Sequence, residues 1–330
     1  MLSRVADSIY WLNCYIERAE NVARFIDVNL NLMLDLPPGM LEQWAPLVAT
    51  TGDDQRFYAR YGAATRDNVV FFLTFDADNP NSIYSCLVKA RENARSVREI
   101  ISSEMWEQIN TFYLMVRDAA GQGTRLTQPH AFFSHVKTAS HLFIGITEVT
   151  MSHNEAWHFA QLGRLLARAD NTSRILDVKY FLLLPQVTDV GSPVDDIQWA
   201  AVLKSASALE MYRKRFGRIL PERVADFLIL DRDFPRAMHS CLVKAEASLH
   251  AITGAPLGTF QNLAEQRLGR LRADFDYAQI DEIIAHGLHE FLDTAQIKLN
   301  DIGTAICETF FALRPVTQTS FQMQGGSSRS

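Results

Sequence analysis

Glu17, Glu20, Arg24 and Asp27 follow one another at steps of three, four and three in an otherwise apolar stretch. Asn13 and Asn31 extend the row by four residues at either end, so all six share one face of a helix. A glutamate in such a row can serve as a general base if burial raises its pKa. Guanidinium forks beside it suit carboxylate or phosphate groups. The same residue types also make ion pairs. Exposed pairs contribute only about 0.2–1 kcal/mol and require no particular residue order. Buried between helices, the loss of one partner would cost about 3–5 kcal/mol. The row therefore reads either as an inter-helix ion-pair network or as a carboxylate and guanidinium cleft for a substrate.

The row is written twice. Glu17-Arg-Ala-Glu-Asn-Val-Ala-Arg24 returns as Ala167-Arg-Ala-Asp-Asn-Thr-Ser-Arg174, 150 positions later. Asp76-x-Asp78-x-Pro80 and Ser85-Cys-Leu-Val-Lys-Ala90 return as Asp231-x-Asp233-x-Pro235 and Ser240-Cys-Leu-Val-Lys-Ala245, offset by 155. Several matches in one order at nearly one offset point to an internal duplication. Arg18, Asp27, Arg168, Asp170, Asn171, Arg174 and Asp177 are then a polar network kept for packing. The differences between the copies point to function. Glu17 becomes Ala167, and Arg91, Arg95 and Arg98 become Glu246, His250 and Thr253. A site is expected in the first half, with Glu17 as catalytic candidate and Glu20, Asn21, Arg24, Arg91, Arg95 and Arg98 as substrate-binding candidates. Trp106 is expected in the core.

Helices must position these residues. Ile9, Leu12, Ile16, Ala19, Ala23, Ile26, Leu30 and Met33 recur at helical steps. Ile83, Leu87, Ala90, Ala94, Val97 and Ile101 predict a second helix over 80–104, capped by Asp78 or Asn79 with Pro80 in its first turn. Val69 to Phe75 could be a strand in isolation, but its counterpart Val224 to Leu230 reads equally well as a helix. The fold class is all-α: two tandem, pseudo-symmetric helical bundles at 1–150 and 151–312 that pack as one domain, with a disordered tail at 313–330. Pro37-Pro-Gly39 and Pro185 to Pro193 punctuate the chain as loops.

The bulk properties exclude several functions. The chain has 330 residues, 48% hydrophobic, with a formal charge of −6. No basic excess exists to neutralise nucleic acid or an anionic membrane surface. Apolar runs are too short to span a bilayer. Four cysteines lack C-x-x-C spacing and read as buried free thiols, which with no evident signal peptide suggests the cytoplasm. His286-x-x-His289 offers two imidazoles without a third ligand, so no metal is expected. His135, His141, His153 and His158 cluster near the junction of the halves. Gly121-Gln-Gly123 is not followed by a lysine, so it is a loop and not a phosphate cradle.

The opening Met1-Leu-Ser-Arg-Val-Ala-Asp-Ser-Ile-Tyr-Trp-Leu-Asn-Cys-Tyr-Ile-Glu-Arg18 closely resembles the bacterial alpha-E family, helical proteins named for a Glu-Arg motif that falls here on Glu17-Arg18. The resemblance continues through Phe75 to Ile83, Ala90 to Arg95, Ser103 to Trp106, Glu155 to His158 and Gly287 to Phe291. Ala167 departs from the pattern, which usually has Glu in the second motif. The resemblance implies partnership with circularly permuted ATP-grasp proteins and, nearby, transglutaminase-like peptidases. The expected function is an auxiliary subunit of an ATP-grasp-type amidoligase that binds a peptide or amino-acid substrate, or the ligase itself. It would carry no cofactor of its own, with ATP and magnesium on the partner. An independent enzyme using Glu17 as general base, and a purely structural scaffold, are the competing readings.

Overall fold

The computed structural model describes residues 1–35, 44–121, 126–182 and 193–312. Among them there are helices and no strands. A long helix, α1 (Ser3–Asp35), is followed by three short ones, α2 (Ala45–Thr51), α3 (Asp54–Tyr61) and α4 (Arg66–Thr74). Three longer helices complete the series: α5 (Ile83–Ser96), α6 (Ser103–Gly121) and α7 (Pro129–Thr150). A similar order then recurs with one addition, α14. It runs through α8 (Glu155–Leu182), α9 (Pro193–Ser205), α10 (Leu209–Phe216), α11 (Pro221–Ile229) and α12 (Met238–Thr253). It closes with α13 (Leu263–Tyr277), α14 (Ile280–His286), α15 (Leu288–Ile306) and a π-helical turn, Cys307–Phe311.

The two long helices form the axis. α1 packs against α5, α7 and α8, while α8 packs against α12, α15 and α1. The apolar stripe of α1 is buried from Ile9 to Leu30. Two hydrophobic clusters result. One is built on that stripe with α2 to α7, the other on α8 with α9 to α15. Tyr10, Cys14 and Phe25 of α1 enter the second cluster, and Phe159 of α8 enters the first. Gly163 lets the axis close up. A Cβ there would stand 2.3 Å from the Tyr10 carbonyl oxygen, so only a residue without a side chain fits.

The segment Val69 to Phe75 is helical, in α4. The helix expected over 80–104 is two helices. α5 ends at Ser96, and the hydroxyl of Ser102 accepts from the Met105 N–H at the start of α6. Val97 and Ile101 keep their apolar spacing across the break because both are buried in the turn. Arg98 thus leaves the helix that carries Arg91 and Arg95. The cap of α5 is Ser82, whose Oγ accepts from Ser85 N–H at 3.1 Å. Asn79 caps a turn instead, and Pro80 precedes the helix. The tail 313–330 and the loop at Pro37-Pro-Gly39 lie outside the described residues. No helix among those described is long and apolar enough to cross a membrane.

Candidate functional site

The polar row of α1 is buried along with the apolar one, because α7 and α8 pack on that side of the helix and Arg236, from the turn before α12, reaches into it. Glu17 is 1% and Glu20 0% exposed. Arg168 of α8 grips Glu17 with both arms of its fork, Nε to Oε1 at 2.9 Å and Nη2 to Oε2 at 2.7 Å. Arg236, just before α12, donates to Glu17 Oε1 at 2.8 Å and to Glu20. Arg24 donates to Glu20 and to the Ser207 hydroxyl. Ser140 Oγ donates to Glu20 Oε2 at 3.0 Å, and His141 Nε2 lies 3.0 Å from Oε1. Asn21 donates to the Glu17 backbone and side chain on its own helix.

Burial alone would raise the Glu17 carboxyl, but Arg168 and Arg236 outweigh it and hold it below the usual carboxylate range. Glu20 is also raised by burial and lowered more strongly, by Arg236, His141 and Arg24, so it sits well below that range. Such carboxylates are poor bases. The cluster joins residues 151 and 219 positions apart, so the expected confinement to the first half does not hold. Arg24 does not reach Asp27 either. Lys137 Nζ takes that carboxylate at 2.6 Å and His130 Nδ1 at 2.9 Å.

Arg91, Arg95 and Arg98 stand elsewhere. Arg91 donates to Asn110 and packs its guanidinium 5.0 Å from the Tyr113 ring centre. Arg98 lies 4.7 Å over Trp106, which is half-buried under the two arginines and not a core residue. Arg95 pairs with Glu92 at 2.7 Å on the surface. None of these contacts reaches Glu17 or Glu20. His286 bonds the Glu282 carbonyl and His289 bonds Asp177, and no group of three possible metal ligands occurs among the described residues.

Across the axis from the Glu17 cluster, the matching positions form something different. Arg18 corresponds to Arg168, Ala167 to Glu17, Asp170 to Glu20, Asn171 to Asn21 and Arg174 to Arg24, all 150 apart. Asn81 corresponds to Arg236 and Gly52 to Ser207, both 155 apart. Gly52 and Ser207 share a left-handed backbone, with φ of 72° and 52°. Arg174 pairs with Asp170 at 2.9 Å, as Arg24 does with Glu20. The resemblance stops at the large side chains. With Ala167 in place of a glutamate, Arg18 makes no hydrogen bond or ion pair among the described residues, and rests 5.6 Å from the Trp11 ring centre. Asn81 turns to Asp53 at 2.9 Å, where its counterpart Arg236 reaches two glutamates. Asp170 Oδ1 and Asn171 Nδ2 are buried without a partner.

This side is open. A polar cavity of about 270 Å³ is lined by Arg18, Asn81, Asp170, Asn171, Arg174 and Asn300. A second of about 380 Å³ shares Arg18, Asp170 and Asn300 with it and adds an apolar wall of Trp11, Leu166, Ala167 and Leu299. Arg18 and Asp170 were expected to be packing residues. Both instead face this cavity. The sequence signal was the Ala167 substitution itself, which removes a carboxylate and leaves its arginine behind. Arg236 was missed, although the Asn81 to Arg236 difference marked it.

Residues 1–311 match a family described as a predicted alpha-helical domain with a conserved ER motif, Alpha-E. The chain belongs to the Alpha-E family. Its relatives include uncharacterized proteins of Mycobacterium bovis and of Mycobacterium tuberculosis, each 21% identical over 94% of the chain. The chain spans 37% of the length of these relatives. No solved structure matches it. In this Alpha-E chain the neighbours Glu17 and Arg18 part company, Glu17 into the ion-pair cluster and Arg18 to the cavity.

Proposed function

We propose that this Alpha-E chain is an auxiliary, non-catalytic helical subunit of an ATP-grasp-type amide-forming system. It presents a small peptide or amino-acid substrate to the ligase. The observation that carries this reading is the contrast between two matching sites, one whose carboxylates are filled by ion pairs, with only Arg24 Nε unmet, and one that lines a cavity, with Asp170 Oδ1 and Asn171 Nδ2 unmet. Buried polar groups without partners cost stability, so their retention beside a cavity favours ligand binding. Glu17 as a general base is disfavoured, since both of its oxygens are held by guanidinium groups that keep it ionised and occupied. The mycobacterial relatives carry the matched region within much longer chains, which suits a module that works joined to others.

The test is to co-express the chain with a circularly permuted ATP-grasp protein and purify the pair. ATP hydrolysis is then assayed with each alone and both together. A stable complex whose ATP turnover depends on this chain is the expected result. No complex, together with substrate turnover by this chain alone, would replace the reading with that of an independent enzyme.

A further inference from the structure

The two matching sites define by difference what the open one lacks. On the sealed side, the Glu17 carboxylate fills the fork of Arg168 and the Arg236 guanidinium bonds Glu20. On the open side neither filling group exists. Ala167 presents no carboxylate to Arg18, and Asn81 presents no cation to Asp170. The remaining changes exchange an imidazole for an amide and a hydroxyl for an apolar side chain. Asn300 stands where His141 does, and Leu299 where Ser140 does, each 159 positions on (His130 and His289 keep the same offset, and each bonds an aspartate of the long helix).

We infer that the cavity binds a free α-amino acid with an apolar side chain, whose carboxylate takes the place of Glu17 and whose ammonium takes the place of Arg236. The carboxylate meets Arg18, which feels the charge of Asp170 but makes no hydrogen bond or close ion pair among the described residues. The ammonium joins Arg174 at Asp170, whose Oδ2 takes the guanidinium and whose buried Oδ1 has no donor, and the equally buried Asn171 Nδ2 turns to the ligand carboxylate. One small molecule can reach both ends, because Arg18 and Asp170 line the same two cavities. The apolar wall of Trp11, Leu166, Ala167 and Leu299 receives the side chain. A bare inorganic anion would leave Asp170 unmet and repel it. This inference rests on the ligand-binding reading above and names its ligand class.

Binding is measured on the full chain by calorimetric titration with L-leucine and L-phenylalanine. Their deaminated acids and decarboxylated amines are titrated alongside. At least one amino acid is expected to bind, with its acid and amine analogues weaker by about tenfold or more, since each loses one charge-assisted partner. Ala167→Glu rebuilds the missing carboxylate beside Arg18 and is expected to abolish binding while raising the melting temperature. Arg18→Met is expected to abolish binding without unfolding the chain, and it decides the matter if Ala167→Glu fails to fold. Acid analogues that bind as tightly as the amino acids would overturn the assignment of Asp170. Binding unchanged in Arg18→Met would overturn the site. A chain that binds neither amino acid yet still activates its ATP-grasp partner would overturn this inference and leave the functional reading standing.

Discussion

At Glu17, burial and pairing compete for one carboxyl, and pairing wins. Three hydrogen bonds from two guanidinium groups satisfy its oxygens, so the residue holds α1 against α8 and the start of α12. Glu17→Gln keeps the shape but leaves the buried Arg168 without a carboxylate, while Arg236 keeps Glu20. It is expected to destabilise the fold by about 3–5 kcal/mol in denaturant titration. A loss below about 1 kcal/mol would show that the network is not what holds these helices. Glu17 and Glu20 both have folded pKa values below their unfolded ones, so they stabilise the fold above the unfolded carboxylate pKa. That stability is lost as pH falls through their lowered values. Acid unfolding followed by circular dichroism is expected to steepen below the ordinary carboxylate range, and Glu20→Gln to flatten that slope. Much of this was readable from the i, i+3 and i+4 spacing, which places Glu20 beside Arg24. Arg168 and Arg236 were not readable as partners of Glu17, because sequence distance hides which helix covers a polar face.

Among the elements, α1 and α8 depend on close approach. Gly163 has no room for a side chain against the Tyr10 carbonyl. Gly163→Ala is expected to cost about 1–3 kcal/mol, since backbone must move apart to admit a methyl group. An unchanged melting temperature would mean that the axis is looser than its geometry. Periodicity located α1 and α5 well, because their apolar stripes are long and regular. It failed at the end of α5. Val97 and Ile101 stay buried through the turn, so the apolar pattern runs on while the backbone breaks. The small polar caps Ser82 and Ser102 decide the boundaries, and both were overlooked beside the more obvious Asx and proline signals.

In the whole molecule, each hydrophobic cluster borrows residues from the long helix of the other. The sealed ion-pair cluster draws on both as well. Unfolding is therefore expected as one calorimetric transition, with calorimetric and van't Hoff enthalpies in agreement. Two separate transitions would mean that the halves are stable apart. The repeated sequence made the second site findable, but its meaning depended on seeing which differences face each other across the axis. Ala167 lies beside Arg18 there, and the pairing can be read only in three dimensions.

On the reading proposed above, Arg168 serves the fold while its counterpart Arg18 serves a ligand. Thermal and denaturant stability of Arg168→Met and Arg18→Met, compared in one experiment, tests it most directly. Arg168→Met is expected to lose about 3–5 kcal/mol, because it breaks a buried pair. Arg18→Met is expected to lose no more than about 1 kcal/mol, the scale of its aromatic contacts, or to gain stability. Equal losses, or a larger loss at Arg18, would contradict the division of roles.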